Sequence, residues 1–507
     1  MSVKSNIVAN YISQIYSALI GVVMVPVYLH YMGAEAYGLV GIFAMIQAWF
    51  LVLDLGFSSA VSREVARNSG NSSEAGSLRY LLRAVEKLFL VVGVSVALLA
   101  WAGSTYVAQE WLQVKTLDLD MVGQAFVLLV LAALARWTSG LYRGVISGME
   151  RQVWLSGVNM VIATFRFVAV VPVFIWIGVE PVYFFGYQLL VAITELSILI
   201  WMAYRLLPHS QNPSFSDARQ IDHLRRMMRF ALSMSIASVI WAVSVQLDKL
   251  LLSAMLPLAE FGYFSIAVAA ASIVQLASSP IATAILPRLA RLNFDGDNSA
   301  QISLYRKATQ LAVILTLPST LILAFFPNQV LWMWTGDLEL TSSAAFLLAL
   351  YAVGSGVLVM GAFPYYLQHA RGELRMHLIG NLVFVLLHIP LLFSLVFHMG
   401  MIGAGWAWLI GNVMYFGIWV PMVHRKILPN LHLKWLLGDI TTVLVPTLIS
   451  VASFNILLDW PSQRFESALL LFGIFLALTL IATVNSHWGR HALVRLYREK
   501  FGKGRCL

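Results

Sequence analysis

Cysteine and charge are what this chain has least of. The single cysteine, Cys506, excludes an intramolecular disulfide framework and any cysteine-built metal or iron–sulfur site. It stands second from the end, so it is not a prenylation box either. Charged residues make up only 11% of the chain, against about 25% in soluble globular proteins. The rest is correspondingly apolar: 60% hydrophobic, with a mean hydropathy of +0.80. No water-soluble fold buries that much apolar side chain, so a cytosolic or secreted globular protein is excluded. Catalytic signatures are also missing. There is no Gly-rich phosphate loop, no His/Asp/Glu cluster at metal-ligand spacing and no serine with a His/Asp partner. No cofactor or metal is expected, and the chain does not read as an enzyme.

What is present is a succession of long apolar runs. A helix needs about 20 mostly apolar residues to cross the hydrocarbon core. Windows of that length predict fourteen spans, at about 7–30, 38–60, 84–105, 121–142, 152–178, 182–204, 228–256, 261–286, 308–326, 343–367, 376–397, 401–423, 436–458 and 466–485. The apolar stretch after Asn6 is too long for a cleaved signal peptide and reads as an uncleaved first helix.

The basic residues test this count. An even number of spans puts both termini on one side. The loops on that side, with the termini and the adjoining span ends (Lys87, Arg229), hold 28 of the 33 Lys and Arg, while the opposite loops hold only Lys115 and Arg464. The remaining three, Arg136, Arg166 and Lys249, lie deeper within spans. Mis-assigning one interior span would scramble this alternation. By the positive-inside rule both termini are cytoplasmic. The net charge of +9 therefore reports topology rather than nucleic-acid binding.

The chain divides into a six-helix lobe (1–204), a Pro- and Arg-containing cytoplasmic linker (205–227), a second six-helix lobe (228–424), two additional helices (425–485) and a basic tail (486–507). A repeat supports the two lobes. Gly33-Ala34-Glu35-Ala36-Tyr37-Gly38 follows the first span, and Leu258-Ala259-Glu260-Phe261-Gly262 follows the seventh. Superimposing Tyr37 on Phe261 gives an offset of 224, which also brings Arg63 within one residue of Arg288. Six is even, so the lobes are parallel repeats about an axis along the membrane normal.

Ionisable residues at mid-bilayer cost roughly 2.5–3.5 kcal/mol even on the lenient insertion scale, so they face protein or water. Arg166 lies about 14 residues from either end of the fifth span, with Asn159 on the same face. It reads either as an anion site in a central cavity or as a structural pair with Glu195 of the sixth span. Lys249 lies about 10 Å of helix from the external end of its span and either snorkels or faces the cavity. Its neighbour Asp248 points about 100° away, so the two are not expected to pair. Arg136 is a candidate lipid-headgroup or inner-gate residue, and Asp54 is a cap or a partner of Arg63. Asn10 and Gln14, with Ser17 and Gly21, form a polar stripe on the first helix that lines a cavity or joins helices. His388 reads as a packed residue. Asp248, Glu195 and Asp54 are the candidates for ion coupling.

The segment Asn6 to Tyr11, the turn Tyr31-Met32-Gly33-Ala34-Glu35-Ala36-Tyr37-Gly38-Leu39, and Leu53-Asp54-Leu55-Gly56-Phe57 with Ala60, Arg63 and Ala66 resemble the N-terminal signature of polysaccharide-export flippases. These are the O-antigen (Wzx-type) exporters of the multidrug/oligosaccharidyl-lipid/polysaccharide superfamily. The signature covers about the first 70 residues, and the 6+6+2 arrangement extends the likeness along the chain. The resemblance implies an all-α V-shaped transporter in the bacterial inner membrane that turns a polyprenyl-diphosphate-linked sugar repeat to the periplasmic leaflet. A polysaccharide polymerase and a chain-length regulator are the implied protein partners. Of its residues only Asp54 and Arg63 carry over by position; Arg166 and Lys249 rest on cost and placement. A drug or metabolite cation antiporter of the same fold is the alternative. A polymerase or ligase of lipid-linked glycans is disfavoured by the short external loops.

Overall fold

The computed structural model describes residues 3–54, 56–68, 75–207, 239–240, 242–243 and 245–490. Every regular element among the described residues is helical, and the only β-type pairing there is an isolated bridge between Gln113 and Pro257. The protein is an all-α polytopic membrane protein.

Eleven helical stretches are long and apolar enough to cross a membrane. Two of them hold two passes each. The stretch Val8–Leu53 has 46 residues, about 69 Å at helical rise and over twice the hydrocarbon thickness. It breaks at Gly33, at φ 78° and ψ 172°. The stretch Arg375–Ile427 breaks likewise at Gly400, at φ 57° and ψ −135°. Both lie at positive φ, which a residue without Cβ adopts at little cost. Thirteen of the fourteen expected passes are thus accounted for. The seventh, about 228–256, begins outside the described residues, and its end at 245–255 is helical. Most of the expected linker and of the basic tail also lies outside the described residues.

The chain divides into two compact units, Met1–Gly262 and Tyr263–Leu507. The first contains α1 (Val3–Leu53), α2 (Phe57–Asn68), α3 (Ala75–Tyr106), α4 (Leu119–Gly148), α5 (Gln152–Phe167), α6 (Val171–Trp176) and α7 (Pro181–Leu206). Helix α4 lies along α7 on one side and α2 on another. Its Gly140, Gly144 and Gly148, spaced by four, let α2 come close. A Cβ on Gly144 would stand 2.4 Å from the Ser58 carbonyl oxygen, and one on Gly148 2.6 Å from that of Ser62. Lipid offers no hydrophobic drive for helix pairing, so such small-residue contacts carry the association. Large apolar side chains such as Leu90, Val91, Leu98 and Leu99 of α3 point outward, as a lipid-facing surface requires.

Two boundaries differ from expectation. Helix α4 continues to Gly148 instead of ending near 142, which takes Arg143 out of the basic loop and into the helix. The fifth pass is not continuous: α5 stops at Phe167 and α6 resumes at Val171, with Pro172 in its first turn. Proline lacks an N–H and cannot continue the ladder. The last carbonyls of α5 find side chains instead: Phe165 accepts from Tyr187 (2.8 Å), Arg166 from Gln188 (3.0 Å) and Phe167 from Tyr28 (2.8 Å).

In the second unit the appended helices Thr442–Leu457 and Arg464–Asn485 pack on Asn298–Phe325 through Leu321, Ile322, Phe326, Val451, Leu471, Ile474 and Leu478. A polar tie reinforces them. The fully buried Asp439 accepts from Arg306 Nε (2.6 Å) and Nη2 (3.0 Å) and from Gln310. His388 is buried and stacks on Phe384.

Candidate functional site

Within the first unit a cavity of about 800 Å³ opens among α1, α2 and α4. Helical spacing gathers its lining. Arg136, Gly140, Arg143 and Ser147 recur every three or four residues along α4, and Ser58, Ser62 and Ala66 every four along α2. Gln47 and Asp54 come from the end of α1. The cavity carries three arginines (Arg63, Arg136, Arg143) against two carboxylates (Asp54, Glu150).

One of those carboxylates is already engaged. Asp54 accepts from the Ser58 backbone N–H (3.2 Å) and hydroxyl (2.7 Å), closing the turn into α2 as a cap. Arg143 reaches Asn159 with one guanidinium nitrogen and Glu195 with the other. Sequence placement offered Glu195 as a structural partner for Arg166, beside the reading of Arg166 as an anion site; Glu195 pairs with Arg143, which α4 carries because it runs on to Gly148. Arg136 donates Nη1 to Gln47 (3.0 Å) and lies 5.6 Å from the Phe43 ring centroid, a cation–π contact. Its Nε and Nη2 are buried and have no hydrogen-bond acceptor. Buried donors are nearly always satisfied, and those of a cation most of all.

A polar seam runs on from the cavity. The Ser147 hydroxyl donates to Gln152, and the Gln152 amide donates to Asn10, each at 3.3 Å. Gln14, one turn along, is exposed and is not among the cavity residues.

Arg166 lies outside this cavity. It is half-buried in the last turn of α5, its guanidinium carbon 4.8 Å from the Phe167 ring centroid. No carboxylate of the described residues stands within ion-pair distance of it. Lys249 is also elsewhere, and its geometry corrects the expected one. Its ammonium donates to the Val245 carbonyl (2.7 Å) and to Asp248 (3.2 Å). The 100° argument holds for the Cβ directions, but a four-carbon stem bends across that angle.

The structure therefore gathers Asp54, Arg63 and Arg136 in one cavity, with Asn159 and Glu195 holding its third arginine and Asn10 at the end of its seam. Arg143 and Ser147 were missed. The signal for them was the continued three-to-four spacing past residue 142.

A many-pass helical membrane protein with arginines facing a recess belongs to the class of membrane transporters. The profile of the Polysaccharide biosynthesis protein family matches residues 3–293, and the chain belongs to that family. No curated protein sequence matches it. Its fold is similar to "Lipid II flippase MurJ, inward closed conformation", at TM-score 0.74 and 14% identity over 96% of this chain and 98% of that one. It is also similar to an inward-facing multidrug resistance MATE family transporter of the MOP superfamily, at TM-score 0.63 and 15% identity over 81% and 94%. A MOP superfamily transporter from Pyrococcus furiosus, described as having a binding pocket of reverse polarity, matches at TM-score 0.54 and 14% identity over 83% and 96%.

Proposed function

We propose that the chain is a flippase for polyprenyl-diphosphate-linked oligosaccharide repeat units, moving them from the cytoplasmic to the periplasmic leaflet of the bacterial inner membrane. The product feeds surface polysaccharide: O-antigen of lipopolysaccharide, capsule or exopolysaccharide. A polymerase and a chain-length regulator then act on it beyond the membrane.

One observation supports the reading: Arg136 lines a roomy cavity, and its buried Nε and Nη2 have no hydrogen-bond acceptor among the described residues. A diphosphate is the complementary group, since arginine offers parallel N–H donors and stays charged. Serine hydroxyls around it suit a hydrated glycan, while the polyprenyl tail stays in lipid. Rocking of one lobe against the other supplies alternating access. The excess of Lys and Arg in one set of loops supports cytoplasmic termini. Arg166, with no carboxylate of the described residues in ion-pair distance, serves the same substrate anion along its path, and Lys249 lies near the external end.

A cation antiporter of the same fold would favour carboxylates in its cavity. Here three arginines outnumber the two carboxylates Asp54 and Glu150, and Asp54 is bound to Ser58.

The test is Arg136→Ala alongside Arg166→Ala, scored by surface polysaccharide and by membrane abundance of the protein. Lipid-linked repeat units are expected to accumulate on the cytoplasmic side at normal protein level. Normal surface polysaccharide in both variants overturns the proposal.

A further inference from the structure

The duplicated turns, offset by 224 residues, meet one another inside the first unit. Gly38 and Gly262 are equivalent positions of the two repeats, as are Ala34 and Leu258. A Cβ on Gly38 would stand 2.2 Å from the Leu258 carbonyl oxygen. One on Gly262 would stand 2.6 Å from the Ala34 carbonyl oxygen and 3.2 Å from the Gly38 amide nitrogen. The contact is reciprocal: each glycine receives the carbonyl four residues before the other. That is the pattern of a two-fold self-complementary interface, here built within one chain. The aromatic residues that precede the two glycines, Tyr37 and Phe261, are both buried.

The loop between α3 and α4 clips this crossing from the side. Glu35 accepts from the backbone N–H groups of Lys115 and Thr116 and from the Thr116 hydroxyl. Two residues earlier, the Gln113 carbonyl accepts from the Leu258 N–H (3.1 Å), and its side-chain amide donates to the carbonyls of Ala254 (3.3 Å) and Met255 (3.2 Å). The Trp111 indole donates to Ser253 (3.1 Å). All three segments are loops or helix ends on the side that carries almost no Lys or Arg. The crossing thus joins backbone apposition and hydrogen bonds to the packing of the Leu258 side chain over Gly38. Such bonds exchange for water at small net cost, so the contact suits repeated parting and re-forming.

We propose that this reciprocal glycine crossing is a clasp that seals the protein on the side away from the basic loops and parts once in each transport cycle. It rests on the flippase reading for the existence of a cycle, but not for the identity of the cargo. Any side chain at position 38 or 262 drives a Cβ into a carbonyl and holds the clasp open.

The experiment starts from Cys506→Ser, with Leu258→Cys as a reporter that is 2% exposed in the closed clasp. Labelling with a membrane-impermeant maleimide is expected to rise several-fold in Gly38→Val. It is expected to stay unchanged in Gly103→Val, where nothing lies within 4 Å of the added Cβ. Unchanged labelling in correctly inserted Gly38→Val overturns the proposal. Should that variant fail to insert, the pair Gln113→Cys and Pro257→Cys locks the clasp at its backbone bridge. Saccharide export should then stop on oxidation and return with a reductant, and export that continues with the disulfide formed overturns the clasp. Glycine-dependent labelling in a protein that exports no saccharide supports the clasp while removing the proposed cargo.

Discussion

Arg143 of α4 and Glu195 of α7 form an ion pair in the interior of the first unit, with the Glu195 side chain 6% exposed and that of Arg143 33% exposed. Asn159 of α5 completes the guanidinium's partners, so one arginine joins three helices. The pair fixes the azimuth of α4 and thereby aims Arg136, seven residues earlier, at the cavity.

Removing one member of this pair is expected to cost more than removing both. Arg143→Met leaves a buried carboxylate; a broken buried pair costs roughly 3–5 kcal/mol, and partial exposure of Arg143 lowers this to about 1–3 kcal/mol. The double variant Arg143→Met/Glu195→Leu should recover part of that loss. Thermal unfolding in detergent of both singles and the double checks it, and equal losses in all three contradict it.

Close approach of α2 to α4 depends on the absent Cβ at Gly144. Gly144→Leu should prevent accumulation of folded protein, because the added Cβ meets the Ser58 backbone. Gly157→Leu, with nothing within 4 Å, should be tolerated. Membrane abundance and size-exclusion profiles compare the two, and a well-behaved Gly144→Leu would refute the packing argument.

The break between α5 and α6 is held by side chains that donate to the last carbonyls of α5. Tyr28→Phe removes one such donor and should destabilise by about 1 kcal/mol, or somewhat more since the Phe167 carbonyl is left bare. Hydrogen exchange of residues 165–171 should quicken selectively. Unaltered exchange there would show that the hydroxyl bond is dispensable.

Asp439 anchors the appended helices to Asn298–Phe325. Asp439→Leu strands Arg306, which is 35% exposed and can turn to water, so the expected loss is about 1–3 kcal/mol. Limited proteolysis should then cut around residues 428–441 faster than in the parent. Identical digestion would place the anchoring in the apolar cluster alone.

The passes were legible in sequence because the bilayer imposes a local rule: about 20 apolar residues, with basic residues at one set of ends. The Gly33 and Gly400 breaks fall between predicted spans for that reason. The site was legible only in part. Arg136 stood out by its cost in lipid, but Arg143 was hidden because a basic residue near a predicted helix end looks like a cytoplasmic flank. Lys249 and Asp248 were judged by backbone direction, which does not bind a long flexible side chain.

By itself the sequence determined the membrane class and the helical passes, and it supplied the expectations of orientation and duplication. All of these rest on composition over short windows or on matching segments. The tertiary structure decided the partners: Glu195 with Arg143 instead of Arg166, Asp54 with Ser58, and Gly38 against Gly262. Pairing is set by how far a helix continues and how closely two backbones approach. Both depend on neighbours distant in the chain, which no local window contains.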